Sequence, residues 1–121
     1  MTDSIHLAPL GLEEQISASI LALYEDHYGH ARATANTYIN GKTVLCMIED
    51  SVSKEEGREF DRGEERDVID RRVTFQLEEQ DAFTAEVERI TECEVVAFLS
   101  ANQDNLDFAA ELFVLDRPPG T

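Results

Sequence analysis

Residues 94–115 read EVVAFLSANQDNLDFAAELFVL, and the fold turns on what the two apolar runs of this stretch become. Both are short and rich in β-branched and aromatic side chains, and the Asn and Asp residues of the intervening NQDNL favour turns. The spacing predicts strands over 94–101 and 107–115 joined as a hairpin. Val95, Ala97 and Leu99 alternate with Val96 and Phe98, while Phe108, Leu112 and Val114 alternate with Phe113 and Leu115. Apolar residues therefore stand on both faces of this hairpin, and both faces require cover.

Working back along the chain, ATANTYIN at 33–40 and TVLCMI at 43–48 flank Asn40-Gly41-Lys42. An Asn-Gly pair can supply the positive φ angles of a tight turn, so these runs read as a first hairpin. Ahead of it, Leu12, Ile16, Ile20, Leu23 and His27 step by three or four and form one stripe of a helix that ends near Tyr28. Glu13 and Glu14 suit its N-terminal dipole, and Gly29 suits its left-handed C-terminal position. Between the hairpins, Ser53 precedes Glu56 by three, the spacing of a reciprocal helix cap, which opens a short helix through about Asp61 before a break at Gly63. Ile69, Val73, Leu77, Phe83, Val87 and Ile90, with Gln76 and Gln80 in the same stripe, then predict one long helix over 64–91.

The expected fold is therefore α+β: a single α-β-β-α-α-β-β domain over residues 10–116, with a mainly antiparallel four-stranded sheet packed by the long helix. An N-terminal extension precedes it at 1–9, and an exposed tail closes it at 117–121. Two arrangements would cover the sheet. The first and long helices could take opposite faces of a monomer, or they could share one face while a second copy covers the other, and the homodimer is the arrangement favoured here.

Composition narrows the function. The chain of 121 residues carries 26 Asp and Glu against 10 Lys and Arg, a formal net charge of −16, while 42% of it is hydrophobic. That apolar content supports one folded core rather than disorder. The acidic field repels phosphate backbones and bare anionic lipid, which argues against nucleic-acid partners and direct membrane insertion. A salt-rich cytoplasm would also account for the acidity without any acidic site. The N-terminus, MTDSIHLAPL, has neither the basic start nor the apolar run of a secretory signal, so the cytoplasm is the expected compartment. Cys46 and Cys93 lie far apart outside any CxxC motif and read as buried free thiols.

No nucleophile elbow, phosphate loop, dinucleotide fingerprint or HExxH spacing occurs. His27 and His30 are three apart, but Gly29 interrupts the helix that would align them on a metal. No EF-hand loop is present, and proximity among so many acids marks no catalytic pair. Catalytic, metal and cofactor residues are accordingly expected to be none. The paired arginines of GEERDVIDRRVTF, Arg71 and Arg72, have two readings. They balance neighbouring carboxylates, since Asp67 precedes Arg71 by four, or they dock an acidic partner surface or a small anion such as bicarbonate.

Taken in order, the first helix, YGHARATANTYINGKTVLCMIEDSVSKEE, GEERDVIDRRVTF and ITECEVVAFLSANQDNLDFAAELFVL resemble the MpsC-like domain family over about residues 10–116. The matching features are Gly29, the paired strands, Val52-Ser53 with Glu56, Arg71-Arg72 and the closing hairpin. The chain departs from the family where Gly29-His30-Ala31-Arg32 replaces a Gly-x-Gly-Pro-like approach to the first strand, and where Glu92 stands in place of the Gly that commonly ends the long helix. The resemblance implies a small soluble domain, the third component of a Na⁺-translocating, membrane-potential-generating system. The membrane components of such systems resemble proton-pumping antiporter subunits paired with a large soluble protein implicated in inorganic carbon uptake. The function so implied is a non-catalytic accessory or regulatory domain with a protein partner in that machinery. The alternatives are a small-anion sensor using Gly29, Arg32, Arg71 and Arg72, and an enzyme of uncharacterised activity.

Overall fold

The computed structural model describes residues 11–28, 33–49, 62–103 and 108–120. Its elements are helix α1 (Leu12–Tyr28), strands β1 (Thr34–Asn40) and β2 (Thr43–Glu49), helices α2 (Glu65–Glu78) and α3 (Gln80–Thr91), and strands β3 (Val95–Asn102) and β4 (Phe108–Leu115). The described elements thus follow the expected order α-β-β-α-α-β-β. The Ser53 cap and the short helix from it to Asp61, the Gly29 helix end, the 29–32 loop and most of the closing hairpin's turn fall outside the described residues.

Helix α1 forms where Ile16, Ile20 and Tyr24, each four residues apart, put their side chains on one face; all three are fully buried. Leu12 and Leu23 pack at the margin of that stripe. Tyr24 continues that face by a four-residue step from Ile20, where the predicted stripe takes Leu23. In the first hairpin Gly41 adopts φ +59°, which places it at the first central position of a two-residue turn, with Asn40 opposite Thr43. The Leu115 N–H donates to the Lys42 carbonyl at 2.8 Å and ties this turn to the end of β4.

The sheet is antiparallel throughout, in the order β1-β2-β4-β3. Side chains alternate across it, so Val44, Cys46 and Ile48 of β2 and Ala109, Glu111, Phe113 and Leu115 of β4 point to one face and are buried. Helices α1 and α3 pack against each other and against strands of this sheet. They share the buried face, so the arrangement with one helix on each side does not occur. Strict alternation fails in β3, where a bulge falls between Val95 and Ala97. Val95 packs toward the core, the extra residue Val96 is 59% exposed, and Ala97 and Leu99 lie on the outer face.

The single long helix expected over 64–91 is two helices. The break is at Glu79 (φ −93°, ψ 3°), whose N–H bonds to the Phe75 carbonyl at 2.8 Å while its carbonyl accepts the Phe83 N–H at 2.9 Å. No Gly or Pro marks this position, because the interruption is a single residue that keeps both of its backbone bonds. The stripe is also displaced. Val68, Arg72, Phe75 and Gln76 are buried, whereas Val73 is 43% and Leu77 66% exposed. Beyond the break Phe83, Val87 and Ile90 are buried as their spacing predicts. Phe83 stacks on Tyr24 with ring centroids 5.9 Å apart and meets Phe75 edge-on at 5.9 Å, which joins α1, α2 and α3 at one aromatic cluster.

Glu92 ends α3 in the left-handed region at φ 58° and ψ 30°. The first residues of the tail hold this corner: Asp116 and Glu94 exchange a backbone bond at 2.8 Å and a side-chain bond at 2.9 Å, and Arg117 donates to the Glu92 carbonyl at 2.6 Å. A side chain costs about 1–2 kcal/mol in the left-handed conformation, against about 0.5–1 kcal/mol for the extra chain entropy of glycine. Glu92→Gly should therefore raise the urea midpoint by the equivalent of about 0.5–1 kcal/mol without changing the slope. The face of α2 is tested by a pair of truncations. Phe75→Ala should cost about 3–5 kcal/mol, and Leu77→Ala should stay within about 0.5 kcal/mol; comparable losses would return Leu77 to the core.

Candidate functional site

Strand register lines up Thr37, Cys46, Glu111 and Ser100 as one row across all four strands. This row lies on the helix-covered face, between the apolar row Ile39–Val44–Phe113–Phe98 and the row Ala35–Ile48–Ala109–Asn102. A polar row in that position must find its hydrogen bonds inside the protein.

At the β1 end, the Ser17 hydroxyl of α1 lies 2.7 Å from the Thr37 hydroxyl. Beside it Thr37 hydrogen-bonds the Cys46 thiol, yet burial dominates and pushes that thiol up to about 11. Cys46 and Cys93 are both buried and free, and at neutral pH Cys46 is a protonated, unreactive thiol.

The centre of the row is Glu111, fully buried on the middle strand β4. Its Oε2 accepts from the Tyr24 hydroxyl at 2.6 Å and from the Gln76 amide Nε2 at 3.0 Å. Its Oε1 accepts from the Ser100 hydroxyl. Gln76 Nε2 also approaches the Tyr24 hydroxyl at 3.0 Å, and Asn102 Nδ2 donates to Gln76 Oε1 at 2.8 Å. One residue from each of α1, α2 and β3 thus converges on a single carboxylate of β4. Arg72, one helical turn before Gln76 and 1% exposed, adds its positive field. Burial outweighs the three donors and the guanidinium, so the Glu111 carboxyl is pushed from the ordinary 4.5 up to about 7. Burial and the adjacent Glu111 charge likewise hold the Tyr24 phenol well above its ordinary value, leaving it a hydrogen-bond donor.

The arginine pair separates on folding, because consecutive helical residues point about 100° apart. Arg71 is exposed and Arg72 is buried. Gly29 and Arg32 lie outside the described residues. Glu111, Tyr24, Ser100 and Asn102 were not nominated from the sequence. A signal for Glu111 does exist: it is an acid placed between Ala109 and Phe113 at strand spacing, on the face that also carries Leu115.

Among the described residues no three His, Cys, Asp or Glu side chains gather as a metal would require. Among the described residues, surface pockets away from Glu111 include one of about 320 Å³ beside Glu13, Glu14, Ser17 and Thr37, and one of about 400 Å³ between Leu12, Ile39, Gly41 and Pro118-Pro119. No described helix is long and apolar enough to cross a bilayer.

Because the Glu111 pKa is raised on folding, the native state binds its proton more tightly than the unfolded chain does. Its contribution to stability is full below pH 4.5 and is lost as pH rises through about 7. Urea denaturation at pH 5 and pH 8 should show a loss of about 2–3 kcal/mol over that interval in the natural protein relative to Glu111→Gln. Parallel pH profiles for the two proteins would remove Glu111 as the titrating group.

No curated protein and no solved structure matches the chain. The sequence model described as "Na+-translocating membrane potential-generating system (MpsC)" matches residues 10–117, nearly the whole length, and the chain therefore belongs to the MpsC family.

Proposed function

We propose that this protein is a non-catalytic accessory or regulatory domain of a Na⁺-translocating, membrane-potential-generating system, acting in the cytoplasm as a homodimer that docks a protein partner of that system. The observation that carries the non-catalytic reading is the internal satisfaction of the Glu111 cluster. Both carboxylate oxygens are occupied by Tyr24, Gln76 and Ser100, and Gln76 is engaged in turn by Asn102. The donors are spent on one another in a helix–sheet seam, which is the arrangement of a packing device. Family membership supports the link to that membrane system, and Arg71, exposed on α2, offers a guanidinium to an acidic patch of the partner.

The test is capture of the tagged full chain from gently solubilised native membranes. Co-purification of membrane subunits of a cation-translocating complex is the expected result, and their consistent absence under conditions that keep the complex intact would overturn the reading. Arg71→Gln, an exposed change on α2, should lower that capture severalfold while leaving the denaturation midpoint within about 0.5 kcal/mol. A thermal shift with bicarbonate in the purified protein would instead support anion sensing.

A further inference from the structure

The face of the sheet turned away from the helices carries a row opposite in character to the buried one. Register aligns Tyr38, Leu45, Leu112 and Leu99 across all four strands, and Met47 and Val114 flank this row on the two middle strands. Tyr38 and Leu99, at its two ends, are 56% and 64% exposed. Among the described strand residues of this face, Glu49 at a strand end is the only charged side chain, in a chain whose net charge is −16.

We propose that this open face is the interface of an isologous homodimer in which the sheets of two copies stack. Three features select a second copy as the occupant. Four strands about 4.8 Å apart and about seven residues long present a footprint of roughly 450 Å² per copy. With side-chain relief, two copies bury roughly 900–1,200 Å², the lower end of specific interfaces, as befits an association that reverses on dilution. Apart from Glu49 at a strand end, the described patch offers no charge for a basic or acidic partner to pair with, whereas another copy brings an equally neutral surface and keeps its acids at the rim. The row is also self-complementary. A two-fold axis along the strands lays Tyr38 of each copy over Leu99 of the other, and Leu45 over Leu112, with the sheets about 10 Å apart. The inference rests on the homodimer in the functional reading above and assigns its surface.

Sedimentation of the purified full chain in about 0.15 M salt, where charges are screened beyond about 8 Å, should give a mass that climbs with concentration from 13.6 kDa toward twice that value. Raising the salt should strengthen the association, because the apolar contact persists while the repulsion between acidic copies fades. Leu99→Glu and, separately, Tyr38→Glu should each weaken it at least tenfold, and Arg71→Gln on the helical side should leave it unchanged. Both changed positions are exposed, and denaturation curves confirm that the variants fold. As an independent readout, a Tyr38→Cys, Leu99→Cys double variant should yield a covalent dimer with a short bismaleimide. A mass fixed at 13.6 kDa at high concentration would overturn both the dimer and its surface. A dimer that survives both glutamate substitutions and resists crosslinking would overturn this surface alone.

Discussion

The removal of Glu111 from water constrains the structure more than any other single feature. Among the described residues it is the one fully buried acid of a chain with 26 of them. Leaving a carboxylate without partners inside a protein costs several kcal/mol, so the fold is committed to delivering donors to one point on β4. Tyr24 has to arrive from α1, Gln76 from α2 and Ser100 from β3, and each delivery fixes the position of its element. A one-residue slip of β4 would put Glu111 on the outer face and Leu112 beneath the helices, leaving Tyr24 and Gln76 buried without their acceptor. The carboxylate therefore acts as a register pin, with a proton affinity that reports how completely the site is desolvated.

The same requirement explains which parts of the fold could be read from the sequence. The strands, both hairpins and α1 follow from apolar spacing and from Gly41, signals that depend on neighbours a few residues away. The stripe of α2 follows only at Gln76, because Val73 and Leu77, which set its apolar period, stand in solvent while Val68, Arg72 and Phe75 are buried. The buried face contains Arg72 and Gln76; Gln76 bonds the buried Glu111, 35 residues away, and Arg72 acts on the same carboxyl through its charge. A polar pair matched across that separation leaves no local periodicity. The break at Glu79 leaves no sequence signal because its bonds to Phe75 and Phe83 are kept, and an ordinary side chain serves there. Glu92 shows the converse case, since the departure from glycine is visible in the sequence and the left-handed backbone that makes glycine preferable appears only in the fold.

Reading the arginines as a pair fails for reasons of geometry as well. Adjacent residues on a helix cannot share a face, so a dipeptide that looks like one motif resolves into an exposed Arg71 and a buried Arg72. Sequence adjacency is a poor guide to shared function in helices, just as strand alternation is a poor guide where a bulge intervenes. Val96 makes the second point: without the bulge its neighbours Val95 and Ala97 would share a face, and β3 would lose either Val95 from the core side or Leu99 from the outer row.

The two central rows of the sheet can be considered together as one inversion of the usual soluble arrangement. In an antiparallel sheet with helices on one side, the covered face is normally apolar and the open face polar. Here the covered face carries Thr37–Cys46–Glu111–Ser100 and the open face carries Tyr38–Leu45–Leu112–Leu99. The polar row is tolerated because every member described has an internal partner, from Ser17 at one end to Ser100 at the other. Among the described residues the apolar row has no comparable compensation, because the described helices are committed to the opposite side by Tyr24, Phe83 and Gln76. Burying the acid and exposing the leucines are thus linked: the anchoring of the helices on Glu111 is what leaves the other face of the sheet available for association.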